Sequence, residues 1–121
     1  MEKKVLVVDD EMHVVKILKF KLKNEGYNVL TALNGNDAIE LAKHEVPDII
    51  LLDIMMPGMD GYKVFEILKD DEATSSIPVI MVTARTQEVD KSRAEKLGVA
   101  EYIFKPFSLQ NVIDAISRVL V

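Results

Sequence analysis

An α/β fold, a five-stranded parallel sheet covered by helices on both faces, is what this sequence predicts, and three observations carry it. Strand-like and helix-like segments alternate five times with short links. Two of the strand-like runs, Lys4-Val5-Leu6-Val7-Val8 from Val5 onward and Ile49-Ile50-Leu51-Leu52, are continuously apolar, the pattern of strands buried on both faces. Four of the five runs then end in polar or charged residues: Asp9 and Asp10, Asp53, Thr83, and Lys105. In open parallel sheets that edge is where ligands bind, at the point where strand order reverses.

Each element has its own warrant. After the first strand, Met12 to Glu25 places Val14, Leu18 and Leu22 at helical spacing with Ile17 beside them, and Gly26 suits a left-handed stop. Tyr27 to Leu30 reads as the second strand. Asn34-Gly35-Asn36 opens a helix whose inner side is Ala38, Ile39, Leu41 and Ala42, and Pro47 separates it from the third strand. A turn-rich loop, Met55 to Gly61, follows Asp53. Asp60 can cap a helix running through Lys69, with Val64, Phe65, Ile67 and Leu68 inward. Ile77 to Val82 is the fourth strand, its Pro78 near the start, where a ladder tolerates it. Gln87 to Leu97 reads as a helix with a thin apolar stripe, Val89, Ala94 and Leu97. Glu101 to Phe104 is the fifth strand. The last helix, Leu109 to Leu120, packs through Val112, Ile113, Ile116 and Val119 or Leu120.

Composition narrows the function. The 121 residues, 49% hydrophobic, make one domain with a real core, and no linker or repeat divides residues 1–121. Without Cys there is no disulfide framework and no thiolate metal site. No signal-peptide core follows Met1 to Lys4, and no apolar run has membrane-span length, so a cytoplasmic protein without membrane contact is expected. A formal net charge of −5 argues against nucleic-acid binding, which leans on Lys and Arg.

The carboxylates at the strand ends then need an explanation. An ionised Asp53 closing a buried strand is costly without compensation. Two like charges about 4 Å apart repel by about 4 kcal/mol at a protein-surface dielectric, so three clustered acids call for a cation. The ligands on offer are hard oxygens with no His or Cys beside them, which favours Mg2+ or Mn2+ over zinc. Lys105 adds a mobile positive charge and Thr83 a hydroxyl. Together they describe a phosphoryl site in which a carboxylate can be the nucleophile. Singly, each has a plainer role: Asp9 or Asp10 as a helix cap, Asp53 as a loop acid, Thr83 as a strand-end hydroxyl, Lys105 as a solvated charge. Their convergence on one sheet edge favours chemistry.

Four motifs, VVDDE, LLDIMMPGMDG, MVTAR and YIFKPF, in this order and at these spacings, resemble the receiver domain of two-component response regulators over the whole chain. The resemblance implies a flavodoxin-like three-layer sandwich with strand order 2-1-3-4-5. It implies that Asp53 is the phosphoacceptor, taking its phosphoryl group from a sensor histidine kinase or a histidine phosphotransfer protein. Asp10, Asp53 and the backbone carbonyl of Met55 would bind Mg2+, with Asp9 acting through water. Lys105 would contact phosphoryl oxygens, Thr83 would close on them, and Tyr102 would rotate inward behind it. Lys105-Pro106 would be cis. The output, toward a downstream protein or domain, would leave through the surface formed by the last two helices and the fifth strand, with Gln87 to Leu97 as the moving element.

Some positions depart from relatives that dimerise through charged pairs on that surface: in this chain they are Ala100, Asn111, Ala115 and Ser117. Phe104 should share a strand face with Tyr102. In the family the kinase grips the first helix, where Met12, His13 and Val15 are candidates beside a basic stripe of Lys16, Lys19 and Lys23. Met55 and Arg85 flank the path of hydrolytic water in the family, and their bulk implies slow loss of phosphate. Ending at Val121, the chain resembles a stand-alone receiver. A dehalogenase-type phosphatase would need a second acid where Met55 stands. A flavin carrier would need a Ser/Thr/Gly-rich loop after the first strand. A receiver-like adaptor that never takes phosphate would not need the complete set of Asp9, Asp10, Asp53, Thr83 and Lys105.

Overall fold

The computed structural model describes residues 2–84 and 98–121, the side chains at 83 and 84 excepted. Five strands, β1 (Lys4–Val8), β2 (Asn28–Ala32), β3 (Ile49–Asp53), β4 (Val79–Ala84) and β5 (Glu101–Lys105), form one sheet. All neighbours are parallel and the order is β2-β1-β3-β4-β5, the flavodoxin-like order. Among the described residues there are four helices: α1 (Met12–Asn24), α2 (Gly35–Glu45), α3 (Gly61–Asp70) and a C-terminal helix, Leu109–Leu120. None is long and apolar enough to cross a membrane. The helix expected over Gln87 to Leu97, with Arg85, lies outside the described residues.

The three layers follow from strand periodicity. Side chains alternate across a strand, so Leu6, Val8, Ile50, Leu52, Val79 and Met81 pack on one face of the sheet, against Ala38, Ala42, Phe65 and Leu68 of α2 and α3. Val5, Val7, Ile49, Leu51, Ile80, Val82 and Ile103 pack on the other, against α1 and the C-terminal helix. β3 is buried along its whole length, as its unbroken apolar run requires.

Several boundaries differ from the sequence reading, each for a local reason. Tyr27 does not begin β2, because its N–H closes the end of α1 on the Leu22 carbonyl at 3.1 Å, beside Gly26 at φ 97°. Pro78 does not enter β4: lacking an N–H, it contributes only its carbonyl, which accepts from Ile50 at 3.0 Å. In α1 the buried stripe is Val15, Leu18 and Leu22, while Ile17 is 51% exposed. Val15 therefore faces the core and is not available to a partner. Ala115 is likewise buried, so only Ala100, Asn111 and Ser117 of that set are exposed. Lys105-Pro106 is cis, as expected.

Candidate functional site

Strand order reverses between β1 and β3, which leave the sheet in opposite lateral directions toward β2 and β4. Val8 pairs with Leu52, so the next residues, Asp9 and Asp53, emerge side by side at the C-terminal edge. Asp9, Asp53 and Lys105 continue the odd-numbered series of Val7, Leu51 and Ile103, and side-chain alternation sends all three toward the same side. The sequence thus fixes their meeting once the register is set.

The distances bear this out. Lys105 Nζ lies 3.2 Å from Asp9 Oδ2 and 3.4 Å from Asp53 Oδ2. Asp53 is 2% exposed and Asp9 3%, whereas Asp10, just past the strand, is exposed. Asp9 Oδ1 accepts the Glu11 N–H at 2.9 Å and so serves the start of α1, where Glu11 itself makes no side-chain cap. Asp53 Oδ1 accepts the Met55 N–H at 3.2 Å. The Met55 side chain is 59% exposed over this loop. The side chain of Thr83 lies outside the described residues; its backbone pairs with Phe104 in the β4–β5 ladder.

The electrostatics match this crowding. Burial, then the Asp9 charge, pushes the Asp53 carboxyl up to about 6, against the pull of Lys105 and the Met55 N–H. For Lys105 burial works against the charged form, but Asp53 and Asp9 outweigh it and hold the ammonium above its usual value. One lysine does not satisfy the acids around it.

A divalent cation fits the remaining deficit. Asp9, Asp10 and Asp53 each offer a carboxylate oxygen, and these atoms lie within 4.8 Å of one another. Ligands on opposite sides of Mg2+ stand about 4.2 Å apart, twice its bond length, so the cluster is of a size to surround one ion, directly or through water. The donors are all oxygen, the set that hard cations take.

Two residues at this site and behind it escaped the sequence reading. Glu11 Oε1 lies 3.8 Å from Lys105 Nζ, and its other oxygen lies 3.5 Å from His13 Nε2. Its place after Asp9-Asp10 was the available signal. Tyr62, at the start of α3, bonds the Tyr102 hydroxyl at 3.2 Å across 40 residues of sequence, and no local pattern announces that. Tyr102 and Phe104 do share a strand face, their rings stacked at 6.0 Å. Beside the acids, a cleft of about 400 Å3 is lined by Glu11, Val14, Lys105, Pro106 and Phe107, apolar apart from its charged rim.

Comparison with known proteins agrees with this geometry. The family model for the response regulator receiver domain matches residues 5–117. The chemotaxis protein CheY4 of Vibrio cholerae is 28% identical, over 99% of this chain and 100% of that one, with a TM-score of 0.93. The N-terminal domain of a response regulator receiver protein from Methanoculleus marisnigri JR1 is 36% identical over 98% and 96%, with a TM-score of 0.78. The signal receiver domain of a signal transduction histidine kinase from Syntrophus aciditrophicus is 30% identical over 98% and 89%, with a TM-score of 0.88.

Proposed function

The chain belongs to the response regulator receiver domain family of two-component signalling, and from that premise we propose that it is a phosphorylation switch with Asp53 as phosphoacceptor. The observation that carries the reading is the buried Asp53 carboxylate, 3.4 Å from Lys105 Nζ and within a cluster of two further acids. A carboxyl at about 6 is largely ionised at neutral pH, so it can act as the nucleophile.

The donor is a phosphohistidine of a sensor histidine kinase or a histidine phosphotransfer protein. An Asp53 oxygen forms the new bond to phosphorus as the P–N bond breaks; the bonding pair stays on the ring nitrogen, which takes a proton from solvent, and neutral imidazole leaves. The apolar cleft beside Lys105 suits the approach of a partner side chain. Asp10, Asp53 and the Met55 carbonyl would hold Mg2+ or Mn2+, with Asp9 acting through water. When bound, the ion supplies positive charge between the acids and the phosphoryl oxygens. Lys105 exchanges its carboxylate partners for a phosphoryl oxygen, and Thr83 donates its hydroxyl to another.

The switch follows from charge. Phosphorylation replaces one negative charge with about two and adds strong acceptor oxygens. Lys105 and Thr83 gain a partner, β4 and β5 carry the change outward, and Tyr102 responds on the output face. A downstream protein or output domain reads that face. The domain turns over no separate substrate and acts in the cytoplasm, away from membranes and nucleic acid. The bulk of Met55 and Arg85 slows the loss of the phosphoryl group.

Acetyl phosphate with Mg2+ tests the chemistry. Mass spectrometry should show one acid-stable, base-labile phosphoryl adduct on the wild type and none on Asp53→Asn. An adduct that persists in Asp53→Asn overturns the assignment. Steady hydrolysis of an added phosphomonoester would identify a phosphatase instead.

A further inference from the structure

Behind the acid cluster, the start of α3 is joined to the phosphoacceptor loop without room for a side chain. The Gly61 N–H donates to the Ile54 carbonyl at 2.9 Å. A Cβ on Gly61 would stand 2.6 Å from the Asp53 carbonyl oxygen and 2.7 Å from the Ile54 Cα, contacts no real side chain makes. Backbone thus rests on backbone, and a shift of the residues after Asp53 must carry the first turn of α3 with it.

The next residue extends that contact across the domain. Tyr62 is 3% exposed and packed in the core on the α2–α3 side of the sheet, so its ring cannot swing freely. Its hydroxyl lies 3.2 Å from that of Tyr102, which is half-buried against the same core. A buried phenol fixes the direction of its hydrogen bond, because its ring has few alternative rotamers within a packed interior.

We propose that Tyr62 is a positioning residue for Tyr102: it ties the output-face tyrosine to α3, so that the Asp53 loop reaches Tyr102 through α3 as well as through β4. The inference rests on the phosphoacceptor reading, since it supplies a second connection from that site. It assigns to Tyr62 a role separate from the phosphoryl chemistry, because Tyr62 acts through the hydroxyl of Tyr102 and not on the phosphoryl group. One neutral hydrogen bond is worth about 1 kcal/mol, so its loss should change the ratio of two Tyr102 conformers by about fivefold.

The chain has three tyrosines and no tryptophan, which makes a selective readout practical. Tyrosine labelled at the ring ζ carbon alone gives three NMR signals, assigned with Tyr27→Phe, Tyr62→Phe and Tyr102→Phe. The signals are recorded with and without acetyl phosphate and Mg2+, while mass spectrometry follows the Asp53 adduct. Tyr62→Phe keeps the buried ring and removes only the hydroxyl. In that variant the Tyr102 signal should move toward the solvent-exposed position before phosphorylation, and its displacement on phosphorylation should change. Tyr102→Phe should move the Tyr62 signal in return. A Tyr102 signal in Tyr62→Phe that superimposes on the wild type in both states overturns the proposal. Absence of the adduct in the wild type would instead defeat the phosphoacceptor reading, so the two failures are distinct. Should Tyr62→Phe shift the two remaining signals, Tyr27 and Tyr102, alike, the effect is general loosening and the proposal also fails.

Discussion

At the scale of single residues, the domain keeps its most consequential group under strain from its own surroundings. Asp53 has a carboxyl raised from 3.8 to about 6 by burial and by Asp9. The folded state therefore holds this proton more tightly than the unfolded chain does. The stability it contributes is fully present below 3.8 and is lost as pH rises through about 6. In metal-free protein at neutral pH the ionised group is a net cost. Asp53→Asn, which keeps the shape and removes the charge, should be more stable than the wild type by about 1–2 kcal/mol in urea unfolding with chelator present. That advantage should shrink as pH falls below 6 toward 4, and a pH-independent difference would contradict an electrostatic origin. Lys105 answers part of the cost, and its raised ammonium is the reciprocal sign of the same attraction. Under the proposed phosphoacceptor role of Asp53, function and stability pull apart at this residue.

At the scale of elements, helix phase decides which apolar residues matter. Ile17 and Ile116 look equivalent in the sequence, each an isoleucine in an amphipathic helix. Ile116 is fully buried between the C-terminal helix and the sheet, and Ile17 is 51% exposed on α1. Ile116→Ala should cost about 2–4 kcal/mol through lost burial and a residual cavity, whereas Ile17→Ala should cost about 0.5 kcal/mol or less. Chemical denaturation of the two variants checks this, and equal losses would contradict these helix phases. Two helix caps are legible in the sequence. Asn34 accepts from the Asp37 N–H at 2.8 Å and Asp60 from the Lys63 N–H at 3.0 Å, because these short polar side chains satisfy helix N–H groups from just outside the helix. Ser108 does the same for the C-terminal helix.

At the scale of the whole molecule, charge is unevenly spread. The chain carries a formal net charge of −5, and Asp9, Asp10 and Asp53 crowd three of its acids into one corner. Millimolar Mg2+ should raise the melting temperature of the wild type in a concentration-dependent way, by mass action on the folded state alone. Asp53→Asn should respond less, and a wild-type midpoint indifferent to Mg2+ would argue against the cluster as a cation site. The sequence by itself determined the α/β class, most element boundaries, the caps of α2 and α3 and the polar residues that close β1, β3 and β5. These rest on local periodicity and on backbone hydrogen bonds a few residues apart, which can be counted along the chain. Only the tertiary structure decided that Asp9 and Asp53 share one lysine, that Glu11 stands near it, that Val15 and Ala115 turn inward, and that Tyr62 meets Tyr102. Those outcomes depend on register between strands and on the rotation of helices against the sheet. Both are set by packing among residues far apart in the chain, where no local pattern records them.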